Sequence, residues 1–249
     1  MNKSAWLRSL HLRSTNSLIK ILGTSAAITA LVLSVMVLKS PGVRADERDD
    51  DQGERSKVQI GFAVAPVYLN LKGRNRELVG LGSYIVNVQS DCNGCHSRDP
   101  QTEYLPNGNP YLLWPPSGPY SGKTIVNPGT YLGGGRDFGP YPGLQHLYSR
   151  NLTPDKTGRP EGGHTFDEFE MIIRTGVDLD HLHPTCTGAP NGACVPPPFN
   201  GALLQVMPWP GYQDMTRKDL RAIYEYLSAI PCIDTVVAGA PFLRNDCPI

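Results

Sequence analysis

The chain has no excess of basic charge: 23 Lys and Arg balance 23 Asp and Glu over 249 residues. Phosphate backbones are held by a basic stripe, so this balance speaks against a nucleic-acid partner. No apolar run reaches the roughly 20 residues that span a bilayer. The best stretch, 21–38, is uncharged and mostly apolar but slightly short. Cysteines number six, and no second Cys or Cys/His pair stands at the spacing that would complete a zinc site. Acidic residues are missing from 1–45, although Lys3, Arg8, Arg13, Lys20, Lys39 and Arg44 occur there.

Against those absences stands one pentad, Cys92-Asn93-Gly94-Cys95-His96. C-x-x-C-H is the attachment signature of c-type haem. Two sulfurs at i and i+3 grip one porphyrin edge through thioether bonds to the vinyl groups, and the adjacent imidazole is placed to ligate iron. A thioredoxin-like redox reading of Cys92 and Cys95 would need a βαβ context, whereas the flanks read as helix, then loop. None of the other cysteines is followed by histidine, so the count is one covalent haem.

The lopsided start has the form of a secretory signal over 1–45: a basic n-region, an apolar centre and the small-residue site Val43-Arg44-Ala45. An uncleaved membrane anchor is the alternative for this segment, and would tie the chain to a membrane. Haem is attached outside the cytoplasm, so the signal and the pentad support each other, and a periplasmic or other extracytoplasmic location is expected. Without 1–45 the chain has 17 basic and 23 acidic residues, a net charge of −6. Asp46, Glu47, Asp49, Asp50, Asp51 and Glu54 crowd the new start and read as a solvated, flexible leader within an N-terminal extension, 46–75. An acidic surface suits the steering of a basic redox partner.

Cys186, Cys194, Cys232 and Cys247 form an even set in an exported chain, which points to two disulfides with three possible connectivities. The local pairing is the expected one, Cys186–Cys194 within a loop and Cys232–Cys247 pinning the tail 232–249. Helical signals are few. An apolar stripe of Leu78, Val79, Leu81, Tyr84, Ile85 and Val88 predicts a helix over 76–88 that runs into the pentad. Gly80 and Gly82 within it suggest close approach of another backbone. Thr165 with Glu168 forms a capping box for a second helix that stops at Gly176, with Met171 on its buried side. A third helix starts at Thr216 and ends before Pro231. The segments 97–164 and 177–211 are rich in Gly, Pro, Tyr and Asn; such long irregular stretches usually serve a site, here wrapping a large flat cofactor.

The iron needs a sixth ligand or an open position. Met207 is the leading candidate, in a loop stiffened by Pro208. A thioether favours ferrous iron and suits electron transfer. Met215, His181 and His183 are the rivals, and His146 and His164 read as ordinary loop residues. Arg136, after Gly133-Gly134-Gly135, is a candidate partner for a haem propionate. Trp209 is a candidate to pack on the porphyrin or bond a propionate. Asn151-Leu152-Thr153 matches a glycosylation sequon, a short and weak pattern.

The order of Gly80-x-x-x-Tyr84, the pentad, a long loop, Met207-Pro208 and a final helix through Leu220, Ile223, Tyr224 and Leu227 resembles class I cytochrome c. The stretch Arg150-Asn151-Leu152-Thr153-Pro154-Asp155, with Phe166-Asp167-Glu168-Phe169, is similar to exported bacterial cytochromes, including the cytochrome subunits of membrane-bound dehydrogenases. The resemblance covers about 77–230 and implies a mainly α fold: class I cytochrome c-like helices around one covalent haem, with long Pro/Gly-rich insertions. It implies a cytochrome domain over 76–231 with an insertion at 97–164. It also implies that the first and last helices cross closely, with Gly80 and Tyr84 against Tyr224 or Leu227. The implied function is single-electron transfer through a His96/Met207 haem, without catalysis by the chain itself. The partners would be redox proteins, namely a dehydrogenase, an oxidase or another cytochrome. Two alternatives remain: a subunit of a larger redox complex docked through 97–149, or a haem enzyme or sensor with an open sixth position.

Overall fold

The chain was analysed as a computed structural model that describes residues 47–139, 146–179, 200, 202–238, 240 and 243–248. It divides into two units, 1–50 and 51–249. Of the first, only the opening of one helix is described, and every contact below lies within the second. The signal segment 1–45, His181, His183, Cys186 and Cys194 lie outside the described residues.

Among the described residues the regular structure is helical, with isolated β-bridges and no strand. Helix α1 spans Glu47–Val64 and α2 spans Arg76–Tyr84, continued by a π-helical turn Ile85–Gln89. The single turn α3 is the pentad itself, Cys92–His96. Helix α4 covers Phe166–Thr175 and α5 covers Arg217–Ala229. No described helix is long and apolar enough to cross a membrane.

The three expected helices start where their caps direct. Asn75 Oδ1 accepts from Glu77 N at 2.9 Å and Leu78 N at 3.2 Å, satisfying amides that have no partner inside α2. In α4 both arms of the capping box close, and Gly176 ends the helix at φ +69°. Thr216 caps α5 by accepting from Asp219 N at 3.1 Å. Met171, expected on the buried side of α4, is 48 % exposed; the buried face is Phe166, Phe169, Ile172 and Ile173.

Helix α1 takes in most of the acidic run at the start of the N-terminal extension 46–75. Acidic residues are favoured at a helix N-terminus, and the far end of α1 packs on α2. A Cβ on Gly61 would lie 1.9 Å from the Gly80 carbonyl oxygen. Ser83 Oγ donates to Gly61 O at 2.7 Å, and the Arg76 guanidinium sits 4.3 Å from the centre of the Phe62 ring. Gly80 therefore serves the contact with α1. The crossing of α2 with α5 belongs to Gly82, where a Cβ would meet the Ala222 carbonyl at 1.9 Å and Tyr226 Cβ at 2.8 Å. Helices α4 and α5 meet through edge-on rings, with Phe166 and Tyr224 5.6 Å apart.

The C-terminal tail is pinned as expected by the Cys232–Cys247 disulfide. It lies over the segment 151–153. Asn151 Nδ2 donates to Ile233 O at 2.8 Å and Leu243 O at 3.0 Å, and Asn245 Nδ2 donates to Thr153 O at 3.0 Å. Asn151 is buried with its amide engaged, so the sequon is a structural joint rather than a surface acceptor.

Candidate functional site

The pentad turn begins at Asp91, held in the left-handed region at φ 44°, and presents two unpaired thiols, Cys92 partly buried and Cys95 exposed. Burial pushes the Cys92 thiol up to about 12, helped by the nearby charges of Asp91 and Cys95. His96 keeps some accessible surface where it lines a cleft, yet its surroundings are dense enough that desolvation lowers its pKa. Its Nδ1 lies 2.8 Å from the Arg150 carbonyl oxygen. A carbonyl can only accept, so Nδ1 carries the hydrogen and Nε2 keeps a lone pair for a metal.

A strap, 131–136, runs beside the pentad and holds it at three points. Leu132 N donates to Asn93 Oδ1 at 3.0 Å, Gly134 N donates to His96 O at 2.6 Å, and Arg136 Nη1 donates to Gly94 O. Gly134 sits at φ +69°, where a Cβ would stand 2.4 Å from the Arg150 carbonyl oxygen. Both the turn and the carbonyl that orients its imidazole are thus fixed by one glycine-rich segment. Behind it, Tyr131 OH donates to Asn87 Oδ1 at 2.5 Å and lies 2.7 Å from Tyr226 OH, while Asn87 Nδ2 reaches Tyr226 OH at 3.1 Å. This buried triangle ties the π-helical turn, the strap and α5 together. Burial holds the phenols of Tyr131 and Tyr226 protonated, with pKa values above the usual range.

Cys92, Cys95 and His96 open onto one cleft. Its walls are mainly apolar, from Val86, Leu152, Phe169, Ile173, Leu220 and Leu227, with Arg150, Glu161 and Gln205 among the polar groups. Met207 and Met215 both stand on the wall. Two thiols at i and i+3, an imidazole nitrogen, a thioether within the same cleft and a large apolar surface are a donor set and shape that suit haem c. The residues fit the group.

The remaining candidates sit elsewhere. Arg136 and Trp209 do not line the cleft. The Arg136 guanidinium is engaged by Gly94 O, and the Trp209 indole covers Gly176, where a Cβ would come within 2.2 Å of the ring. His164 and His146 lie off the cleft too; His146 pairs with Asp137 at 2.5 Å. Sequence reasoning missed the strap and the tyrosine–asparagine triangle. The run Gly133-Gly134-Gly135 was the available signal for the strap; for the triangle there was none.

No protein-family model matches the chain, and no solved structure matches it. It is 28 % identical over 152 residues to the gluconate 2-dehydrogenase cytochrome c subunit of Pantoea cypripedii, covering 61 % of this chain and 23 % of that protein. It is 31 % identical over 80 residues to the cytochrome c subunit of the quinone alcohol dehydrogenase of Gluconacetobacter polyoxogenes, 32 % of this chain and 13 % of that one. The fructose dehydrogenase cytochrome subunit of Gluconobacter japonicus is 22 % identical over 153 residues, 61 % of this chain and 21 % of the other. The matched region thus spans under 25 % of the length of each of these relatives. The chain is similar to cytochrome c subunits of dehydrogenases.

Proposed function

We propose that the chain is an exported electron carrier holding one covalent haem c, with His96 and Met207 as axial ligands. The observation that carries the reading is the convergence of both pentad thiols and the metal-ready face of His96 on one apolar cleft with a methionine on its wall. Each thiol would add across one vinyl group, forming a C–S bond and passing its hydrogen to the other vinyl carbon. When bound, the haem supplies an iron that gains and loses one electron. Nδ1–H of His96, fixed on the Arg150 carbonyl, holds the ring in one tautomer and orientation, and the apolar walls exclude water from the metal.

Met207 is preferred over Met215 because the loop that carries it is fixed on both sides of the residue. Met207 N donates to Gln205 O at 2.7 Å, Trp209 N donates to Met207 O at 2.8 Å, Val206 is held at φ 65°, and Pro208 follows. Both methionines pack on the main hydrophobic cluster, and Met215 packs on the second cluster as well, so core packing accounts for more of Met215. With His96 and Met207 both holding the iron, no position would be left for a substrate, and the chain would carry electrons rather than act as a catalyst.

The expected test is carbon monoxide binding to the reduced holoprotein. The native chain should bind it slowly at neutral pH; Met207→Ala should bind it rapidly and show a lower reduction potential, while Met215→Ala changes neither. Rapid binding by the native chain would instead indicate an open sixth position, as in a haem enzyme or sensor. The similarity to dehydrogenase subunits favours a second reading, an electron-transfer subunit that accepts electrons from a dehydrogenase. Co-purification with such an enzyme from the source cells supports it, and a monodisperse monomer in gentle detergent counts against it.

A further inference from the structure

The insertion after the pentad contains a feature that serves neither the cleft nor the core. Residues 105–122, Leu-Pro-Asn-Gly-Asn-Pro-Tyr-Leu-Leu-Trp-Pro-Pro-Ser-Gly-Pro-Tyr-Ser-Gly, carry no Asp, Glu, Lys, Arg or His. Their backbone forms an ordered hairpin. At its base Leu105 N donates to Ile125 O at 2.9 Å and Ile125 N to Gly108 O at 2.8 Å; near its tip Trp114 N donates to Pro119 O at 2.9 Å and Gly118 N to Pro115 O at 2.6 Å. Leu113 and Tyr120 pair across it. The tip nonetheless turns its large side chains outward: Tyr111 is 77 % exposed, Tyr120 68 %, Leu112 48 %, Trp114 44 % and Leu113 41 %. None of them lines the cleft.

We propose that this hairpin tip is a membrane-interface contact that seats Tyr111, Leu112, Leu113, Trp114 and Tyr120 in the headgroup boundary of a zwitterionic lipid surface. Three observations select lipid over a protein partner. Tyr and Trp offer apolar rings with one polar atom each, the side chains that settle at a membrane–water boundary. Four of the tip's backbone N–H groups are met within it: Tyr111 N on Asn109 Oδ1 at 2.9 Å, Leu112 N on Asn109 O at 3.3 Å, and Trp114 N and Gly118 N as above. Pro110, Pro115, Pro116 and Pro119 have no N–H to satisfy, so the run carries fewer unpaired donors into the less hydrated boundary. Third, the complete lack of charge leaves nothing to steer or register a charged partner surface, while a fluid, neutral boundary needs no register. The charges begin at the feet of the hairpin, with Glu103 on one side and Lys123 on the other.

The test uses the exported holoprotein with phosphatidylcholine vesicles in high salt. Bromine on the acyl chains should quench a part of the tryptophan emission that is missing from Trp114→Phe. This local readout is independent of any contact through 1–45. Leu112→Glu with Leu113→Glu should abolish that quenching and weaken the tip's lipid partitioning about tenfold or more, since charge is costly in the boundary. Its visible haem spectrum should stay as in the native chain, so failure here leaves the haem reading untouched. Equal quenching in the native chain and Trp114→Phe would overturn the proposal. So would protection of 109–122 from hydrogen exchange by an added redox protein but not by vesicles, which would assign the tip to a protein interface.

Discussion

At Gly134 the backbone is held at φ +69°, and any Cβ would stand 2.4 Å from the carbonyl that accepts His96 Nδ1–H. The same residue donates its own N–H to His96 O at 2.6 Å. Strain in the left-handed region and a backbone collision therefore fall on the two bonds that set the His96 imidazole. Gly134→Ala should cost about 1–3 kcal/mol of stability and shift the visible spectrum of the reduced holoprotein. Gly129→Ala is the control, because its Cβ would meet only Asn127 Oδ1, at 3.4 Å. Denaturant titration and the spectrum check both; an unchanged spectrum in the Gly134 variant would detach the strap from the ligand. The glycine run was visible in the sequence as a turn, but its partners were not. Most are main-chain carbonyls of residues far along the chain, and main-chain groups leave no mark on residue type. Cys92, Cys95 and His96 stand out in the sequence for the opposite reason, since the proposed chemistry rests on side chains and their spacing.

Helix boundaries were legible where the signal is local. Thr165 with Glu168, Gly176, Thr216 and Pro231 fix ends by hydrogen bonds or dihedral limits within a few residues. The identity of the crossing glycine was not local. Gly80 and Gly82 look alike in sequence, and only the presence of α1 assigns the first to Gly61 and the second to Ala222. Helix α1 itself was hidden by its acidic start, which in sequence resembles a solvated tail. The capping box of α4 carries a pH dependence. Glu168 Oε2 accepts from Thr165 N and Thr165 Oγ1, both at 2.7 Å, and these bonds hold its carboxyl below the usual 4.5; His164 and Arg159 add to the effect. A carboxyl lowered on folding contributes stability above its unfolded pKa and loses it as pH falls through the folded value. Stability of the chain should therefore drop below about pH 4.5. In Glu168→Gln that acid limb should be shallower, with lower stability than the native chain at neutral pH. Thermal unfolding across pH 3–7 reads both effects, and superimposable acid limbs would remove Glu168 from the account.

Across the whole second unit, the tail and the proximal side of the cleft form one connected body. The disulfide between Cys232 and Cys247 closes a segment in which Ile233 O and Leu243 O hold Asn151, and Asn245 holds Thr153. Asn151 directly follows Arg150, whose carbonyl orients His96. The tail also grips the strap from the other side, through Thr235 Oγ1 on Gly133 O at 2.6 Å. Both supports of the His96 ring are thus backed by residues between two bonded cysteines. That pairing could be read from the sequence, but what the tail rests on could not. A loop of this length, with a sequence separation of 15, is worth about 3 kcal/mol when cross-linked. Cys232→Ser with Cys247→Ser should lose about that much in urea unfolding. A simple staple would stop there. A support for the strap should in addition speed hydrogen exchange at the Gly134 and Leu132 amides, which bond the pentad, more than at the α5 amides. Faster exchange confined to the tail would mean that the strap holds the pentad without help from the C-terminus.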